Sequence, residues 1–169
     1  MARYIDISLD KRGVTATARL LDDLAPRTCE AVWRALPLGS DVYHAKYARN
    51  EIYTLVQAFA EPEPGRENPT ITPIPGDVVY FSFEQWQLAT SSHGYTAAEQ
   101  PHRAAHIVDL ALFYERNNLL LNPDYGFVPG NVFASIVEGL ADIAAAAQDL
   151  WRRGAEGESL HFARHEGGL

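Results

Sequence analysis

Near its start the chain alternates apolar and polar residues, breaks, and alternates again. Ile5, Ile7 and Leu9 are separated by Asp6 and Ser8, and Val14, Ala16, Ala18 and Leu20 by Thr15, Thr17 and Arg19. Successive side chains of a strand point to opposite faces, so this period of two fits half-buried strands and not a helix. Asp10-Lys11-Arg12-Gly13 lies between the runs and supplies turn residues. The segment is therefore predicted as a β-hairpin, which needs further strands or a helix to bury its apolar face.

The rest of the chain provides candidates for that cover. With 169 residues, 47% of them apolar, one sizeable core can form, and the length fits a single domain over residues 1–169. Pro26 suits the first turn of a helix in which Cys29, Val32, Trp33 and Leu36 share a face before Pro37 stops it. Two short strands are predicted from Val42 to Ala48 and from Glu51 to Val56, joined about Arg49-Asn50. This stretch, YHAKYARNEIY, places Tyr43, Tyr47, Tyr53, His44, Lys46, Arg49 and Glu51 within eleven residues and alternates between two half-polar faces. The Pro- and Glu-rich EPEPGRENPT reads as a connector and Asp77 to Phe83 as a strand. Residues 84–106 have no clear period and read as a surface excursion. Ile107 to Tyr114 is apolar on both faces, the pattern of a central strand.

Asn131 is then predicted to cap a long amphipathic helix carrying Phe133, Ile136, Val137, Leu140, Ala144, Ala147 and Trp151 on one stripe. Arg152 and Arg153 complement its C-terminal dipole and Gly154 ends it. Leu160 to Arg164 is predicted as a short edge strand.

Composition excludes several function classes. Fourteen basic and twenty-two acidic side chains give a formal charge of -8, a long-range field that repels nucleic acid and anionic membranes. No apolar run is long enough to span a bilayer, and MARYIDISLD has acids where a signal peptide needs an apolar core. The single cysteine, Cys29, permits no intramolecular disulfide, which is compatible with a cytoplasmic, reducing compartment. Its place on a helical stripe makes it a buried thiol.

The order of these elements, with PGDVVYF (Pro75 to Phe81), VPGNVFA (Val128 to Ala134) and LLDDLAPRTCEAVWRALP (Leu20 to Pro37), resembles a small bacterial cyclophilin-like family of uncharacterised function over nearly the whole chain. The resemblance implies a mainly β fold: a closed, mostly antiparallel barrel of about eight strands capped by two helices, without free sheet edges. In cyclophilins the strand similar to Tyr43-His44-Ala45 carries a Phe-His-Arg motif whose arginine contacts the twisted prolyl amide. Here Ala45 stands in that place, and the asparagine-rich segment that lines the proline pocket has no counterpart. Loss of a fixed donor of this kind costs roughly 3 kcal/mol of transition-state stabilisation, so efficient prolyl isomerisation is not expected.

Candidate site residues follow from chemistry and position. His44, on a polar strand with Tyr43, Lys46 and Glu51, is a candidate acid or base; the competing role is a surface or barrel-end imidazole. Tyr80 and Tyr114 lie near strand ends, where a small barrel offers room for a ligand or for packing. Arg116, followed by Asn117 and Asn118, could converge with a helix N-terminus at Asn131 to hold a small carboxylate; the alternative for Asn131 is ordinary capping. The pairs His102/His106 and His161/His165 have i, i+4 spacing but no accompanying glutamate, so solvent-facing polarity is preferred and neither metal nor cofactor is expected. Ser91-Ser92-His93 lacks any oxyanion-hole motif, so nucleophilic catalysis there is not expected. The leading expectation is a protein that binds or acts on a small, carboxylate-bearing molecule through Tyr80, Tyr114, Arg116 and Asn131. A non-catalytic peptide-binding or chaperone-like module is the alternative, a prolyl isomerase the third reading, and a homo-oligomer is compatible with each.

Overall fold

The hairpin predicted at the start is one corner of a closed ring of strands. A computed structural model describes residues 2–88 and 106–167. In chain order the elements are β1 (Tyr4–Leu9), β2 (Val14–Leu20), α1 (Pro26–Ala35), β3 (Leu38–His44), β4 (Glu51–Gln57), β5 (Pro69–Thr70), β6 (Asp77–Glu84) and α2 (Gln85–Leu88). They continue with β7 (His106–Phe113), β8 (Leu121–Asn122), β9 (Gly126–Phe127), β10 (Gly130–Glu138), α3 (Leu140–Arg153) and β11 (Ser159–Arg164). Eight strands follow one another in the order β2-β1-β11-β3-β4-β7-β6-β10, and β10 pairs back onto β2. All these pairings are antiparallel, so the barrel is closed and free of lateral edges.

Alternation along the strands separates two apolar clusters. Ile5, Ile7 and Leu9 of β1, Val78 and Tyr80 of β6, and Val108, Leu110 and Leu112 of β7 join residues of all eight barrel strands in the first cluster, which is the lumen. Cys29 and Val32 of α1 and Ile143, Ala147 and Leu150 of α3 pack into the same cluster, so both helices seal it. The intervening residues Val79, Phe81 and Phe83 of β6 and Ile107, Ala111 and Phe113 of β7 form a second cluster on the outer face. Leu120 and Val128, from the segment after β7, cover this face. Strand β7 is thus buried on both sides, which explains its continuous apolar sequence.

Four expectations need correction. No helix begins at Asn131: Gly130–Glu138 is β10, and α3 starts at Leu140 after Gly139, whose φ is +78°. The pairing registers slip between Val132 and Ala134 and between Ile136 and Glu138, leaving Phe133 and Val137 as extra residues at two bulges. Such insertions interrupt a period of two and give Phe133, Ile136 and Val137 their helix-like spacing. Trp151 does not share the buried stripe of α3 but is 64% exposed. β11 is not an edge strand, because it pairs with β1 on one side and β3 on the other. The strand expected from Val42 to Ala48 begins earlier and ends at His44, and Arg49 turns the chain with φ +71°.

Candidate functional site

On the outer face of β4, β7 and β6, beneath the segment that follows β7, lies a cavity of about 320 Å³. Eight of its lining residues come from Tyr43 to Tyr53, the stretch whose density of polar and aromatic groups stands out in the sequence. Tyr43 and Tyr53 face each other across the β3–β4 ladder, with rings stacked at 5.4 Å. Phe81 and Phe83, two residues apart on β6, stack at 5.6 Å on the opposite wall. The walls are therefore largely aromatic.

Among the described residues, two acids stand within these walls. Glu51 opens β4 and Asp109 lies in the middle of β7, each only 6% exposed, and both line the cavity. Leu55 pairs with Asp109 and Glu51 with Phe113, so alternation brings both acids to the outer face. Burial disfavours the charged form and lifts the Glu51 carboxyl to about 8. Asp109 is raised well above the usual carboxylate range, first by burial and then by the Glu51 charge. Among the described residues, Asp109 Oδ1 has no hydrogen-bond partner. Tyr125, from the β8–β9 turn, also lines the cavity, and burial followed by the charge of Asp109 raises its phenol. A pair of buried acids in an aromatic cavity can accept hydrogen bonds, balance a cation or exchange a proton near neutral pH.

The five residues expected to form a site fall into three places. His44 lines the cavity, and its Nε2 lies 2.7 Å from the Tyr114 hydroxyl. Its Nδ1 lies 3.1 Å from the Ala45 carbonyl oxygen, which can only accept; Nδ1 therefore carries the hydrogen, and in a neutral ring Nε2 accepts from Tyr114. Burial lowers the His44 pKa, which favours that neutral ring, and the imidazole rests against Trp151 at 5.2 Å.

Tyr80 and Asn131 pair across β6 and β10 and line a second, smaller cavity of about 220 Å³ with Glu63 and Arg66. The Tyr80 hydroxyl donates to Glu63 at 2.6 Å, and burial followed by that carboxylate raises its pKa. Asn131 donates to Thr28 Oγ1 and the Gly65 carbonyl and accepts from the backbone N–H groups of Glu67 and Asn68. Its amide capacity is thereby used within the chain, tying the 65–68 loop to α1. Arg116 is exposed and lines a surface depression with Arg49, whereas Asn131 lines the cavity beside Tyr80.

The other sequence candidates resolve differently. His161 and His165 do not converge: their Nδ1 atoms lie 2.5 Å from Asp10 and 2.9 Å from Asp6. Among the described residues, no group of three or more His, Cys, Asp or Glu side chains is placed to hold a metal ion. Cys29 is fully buried, its thiol 3.2 Å from the Phe133 carbonyl oxygen, and burial raises its pKa to about 12. His102 and Ser91-Ser92-His93 lie outside the described residues. Asp109 escaped sequence reasoning, although a single carboxylate inside Ile107-Val108-Asp109-Leu110-Ala111-Leu112-Phe113 was a readable signal. A strand covered on both sides has no exposed face for it.

Fold and cavity together define a closed antiparallel eight-stranded barrel with an acidic, aromatic cavity on its outer face. The chain belongs to the family of proteins of unknown function DUF3830, whose sequence profile matches residues 7–162. No curated protein matches it. Among solved structures it is similar to McbB in complex with tryptophan, with 19% sequence identity, a TM-score of 0.60 and coverage of 98% of this chain. The chain spans about half of that protein, 46% of its length, and the likeness shows a shared barrel fold. No helix among the described residues is long and apolar enough to cross a membrane.

Proposed function

We propose that this cyclophilin-like barrel binds a small organic molecule in the cavity over β4, β7 and β6, and that Glu51, Asp109, Tyr125 and His44 supply its polar contacts. The observation that carries the reading is the convergence of two buried acids within aromatic walls, in a volume at the lower end of the ~300–1,000 Å³ typical of ligand sites. That McbB, which shares the barrel fold, was solved in complex with a small molecule, tryptophan, supports it. The carboxylate-bearing ligand expected from the sequence depended on a helix N-terminus at Asn131, and that segment is a strand. A peptide-binding module comes second, because two buried acids suit a ligand's polar group better than the apolar floor of a peptide groove.

Thermal-shift screening of a diverse panel of small molecules tests the proposal, with Val128→Trp as a variant that fills the cavity from its covering segment. Ligands should stabilise the parent and lose that effect in the variant while its unliganded melting remains cooperative. Stabilisation that survives Val128→Trp, or a panel without effect on the parent, would place function elsewhere.

A further inference from the structure

The acids of the cavity indicate the class of ligand, a step that rests on the small-molecule reading above. Asp109 is only 6% exposed, lines the cavity, and has an Oδ1 without a hydrogen-bond partner among the described residues. A buried carboxyl oxygen left in this state is costly, and a donor from a ligand would remove that cost. Glu51, equally buried, lines the same space, so a ligand reaching Asp109 enters a region with two acids. The stacked Tyr43/Tyr53 and Phe81/Phe83 pairs present ring surface to the remainder of the ligand.

We infer that the cavity takes an amine carried on an aromatic or apolar body, with the ammonium group held by Asp109 and Glu51. A carboxylate ligand would add a third acid to the pair, whereas an ammonium balances the charge on it and supplies three N–H donors. The electron-rich ring faces in the walls also attract a cation.

Protons are linked to this binding. Free Glu51 keeps its proton until about pH 8, so an ammonium that needs the ionised acid displaces about one proton near neutral pH. Among the described residues, the other titratable groups facing the cavity are Tyr43 and His44 of β3, Lys46 and Tyr47 of the following turn, Tyr53 of β4, and Tyr125. Burial lowers the His44 pKa and raises that of Tyr125, which favours their neutral forms in the pH range of the test.

Calorimetric titration with phenethylamine, 2-phenylethanol and 3-phenylpropionate between pH 6 and 9 decides the matter. The amine should bind roughly tenfold or more tightly than either control, the size of a charge-assisted hydrogen bond. Its affinity should rise with pH, and titration in buffers of different ionisation enthalpy should show proton release. Asp109→Asn should weaken amine binding by a similar factor and alcohol binding by less, since the neutral amide removes the charge that only the ammonium uses. Equal affinity for the three probes, tighter binding of the carboxylate, or an unchanged Asp109→Asn variant would overturn the amine assignment and leave the small-molecule reading standing. Failure of all three probes would also overturn it; coupled with silence of the diverse panel, it would remove the site itself.

Discussion

Raising the pH from 6 to 8 should destabilise the fold, and Glu51→Gln should suppress much of that loss. The carboxyl of Glu51 titrates near 4.5 in an unfolded chain but holds its proton to about pH 8 when folded. Between those values the folded state binds one more proton than the unfolded state, so its stability falls by about 1.4 kcal/mol per pH unit. The slope levels off close to pH 8, leaving a loss of roughly 2 to 2.5 kcal/mol from pH 6 to 8 for this group alone. Asp109, raised in the same direction, adds to the fall. His44, lowered by burial, acts oppositely: its contribution grows as pH rises towards 6.5 and is nearly constant above it. Comparing parent and variant at each pH cancels the His44 term. Urea unfolding at pH 6, 7 and 8 measures the effect, with an expected fall in the parent midpoint of about 1 to 2 M. Parallel pH profiles for parent and Glu51→Gln, or a parent that gains stability up to pH 8, would refute the assignment of a proton to folded Glu51.

Three further outcomes can be checked by standard assays. Phe133→Ala should cost about 3 to 5 kcal/mol in denaturant unfolding, because this fully buried ring fills the lumen from a bulge of β10. Glu158→Ala should cost about 3 kcal/mol or more by the same measurement, since its carboxylate accepts from the backbone N–H groups of Lys11, Arg12 and Ser159 and from the Arg12 guanidinium. In a coupled cis/trans assay the protein should leave a proline-containing peptide at its uncatalysed relaxation time of tens of seconds or longer, as Ala45 offers no side-chain donor.

What could be read from the sequence was set by how far each segment's pattern depends on its neighbours. The β1–β2 hairpin, β6 and β7 were legible because alternation or continuous apolarity reports local burial directly. β10 was not, since the bulges at Phe133 and Val137 shift its inward positions towards helical spacing. β11 has the pattern of a strand, but nothing within Ser159–Arg164 tells that β1 and β3 flank it on both sides. The same limit applies to the site. The tyrosines and acid of residues 43–53 marked an unusual strand pair, while their convergence with Asp109 depends on the β4–β7 register. Asn131 is a residue type suited to ligands and to structural bridges alike, and only its four partners in the fold distinguish the two.

Buried acids in this barrel divide into two kinds, and the division bears on which of them serve function. Glu158 and Glu67 have both carboxylate oxygens occupied, largely by backbone N–H groups, and these bonds hold their pKa values below the usual range despite burial. Each ties separate segments together: Glu158 the β1–β2 turn to the start of β11, and Glu67 its loop to the first turn of α1. Glu51 and Asp109 shift the other way because burial dominates, and Asp109 has an oxygen without a partner among the described residues. An apolar side chain at Asp109 would continue the surface formed by Ile107, Ala111 and Phe113 and avoid the desolvation of a carboxyl group. Folding therefore supplies a reason for the first pair of acids and none for Asp109. A cavity that brings a ligand's donor to that carboxyl supplies the missing reason, so a stabilising Asp109→Leu substitution that abolishes amine binding would separate the acid's function from the stability of the barrel.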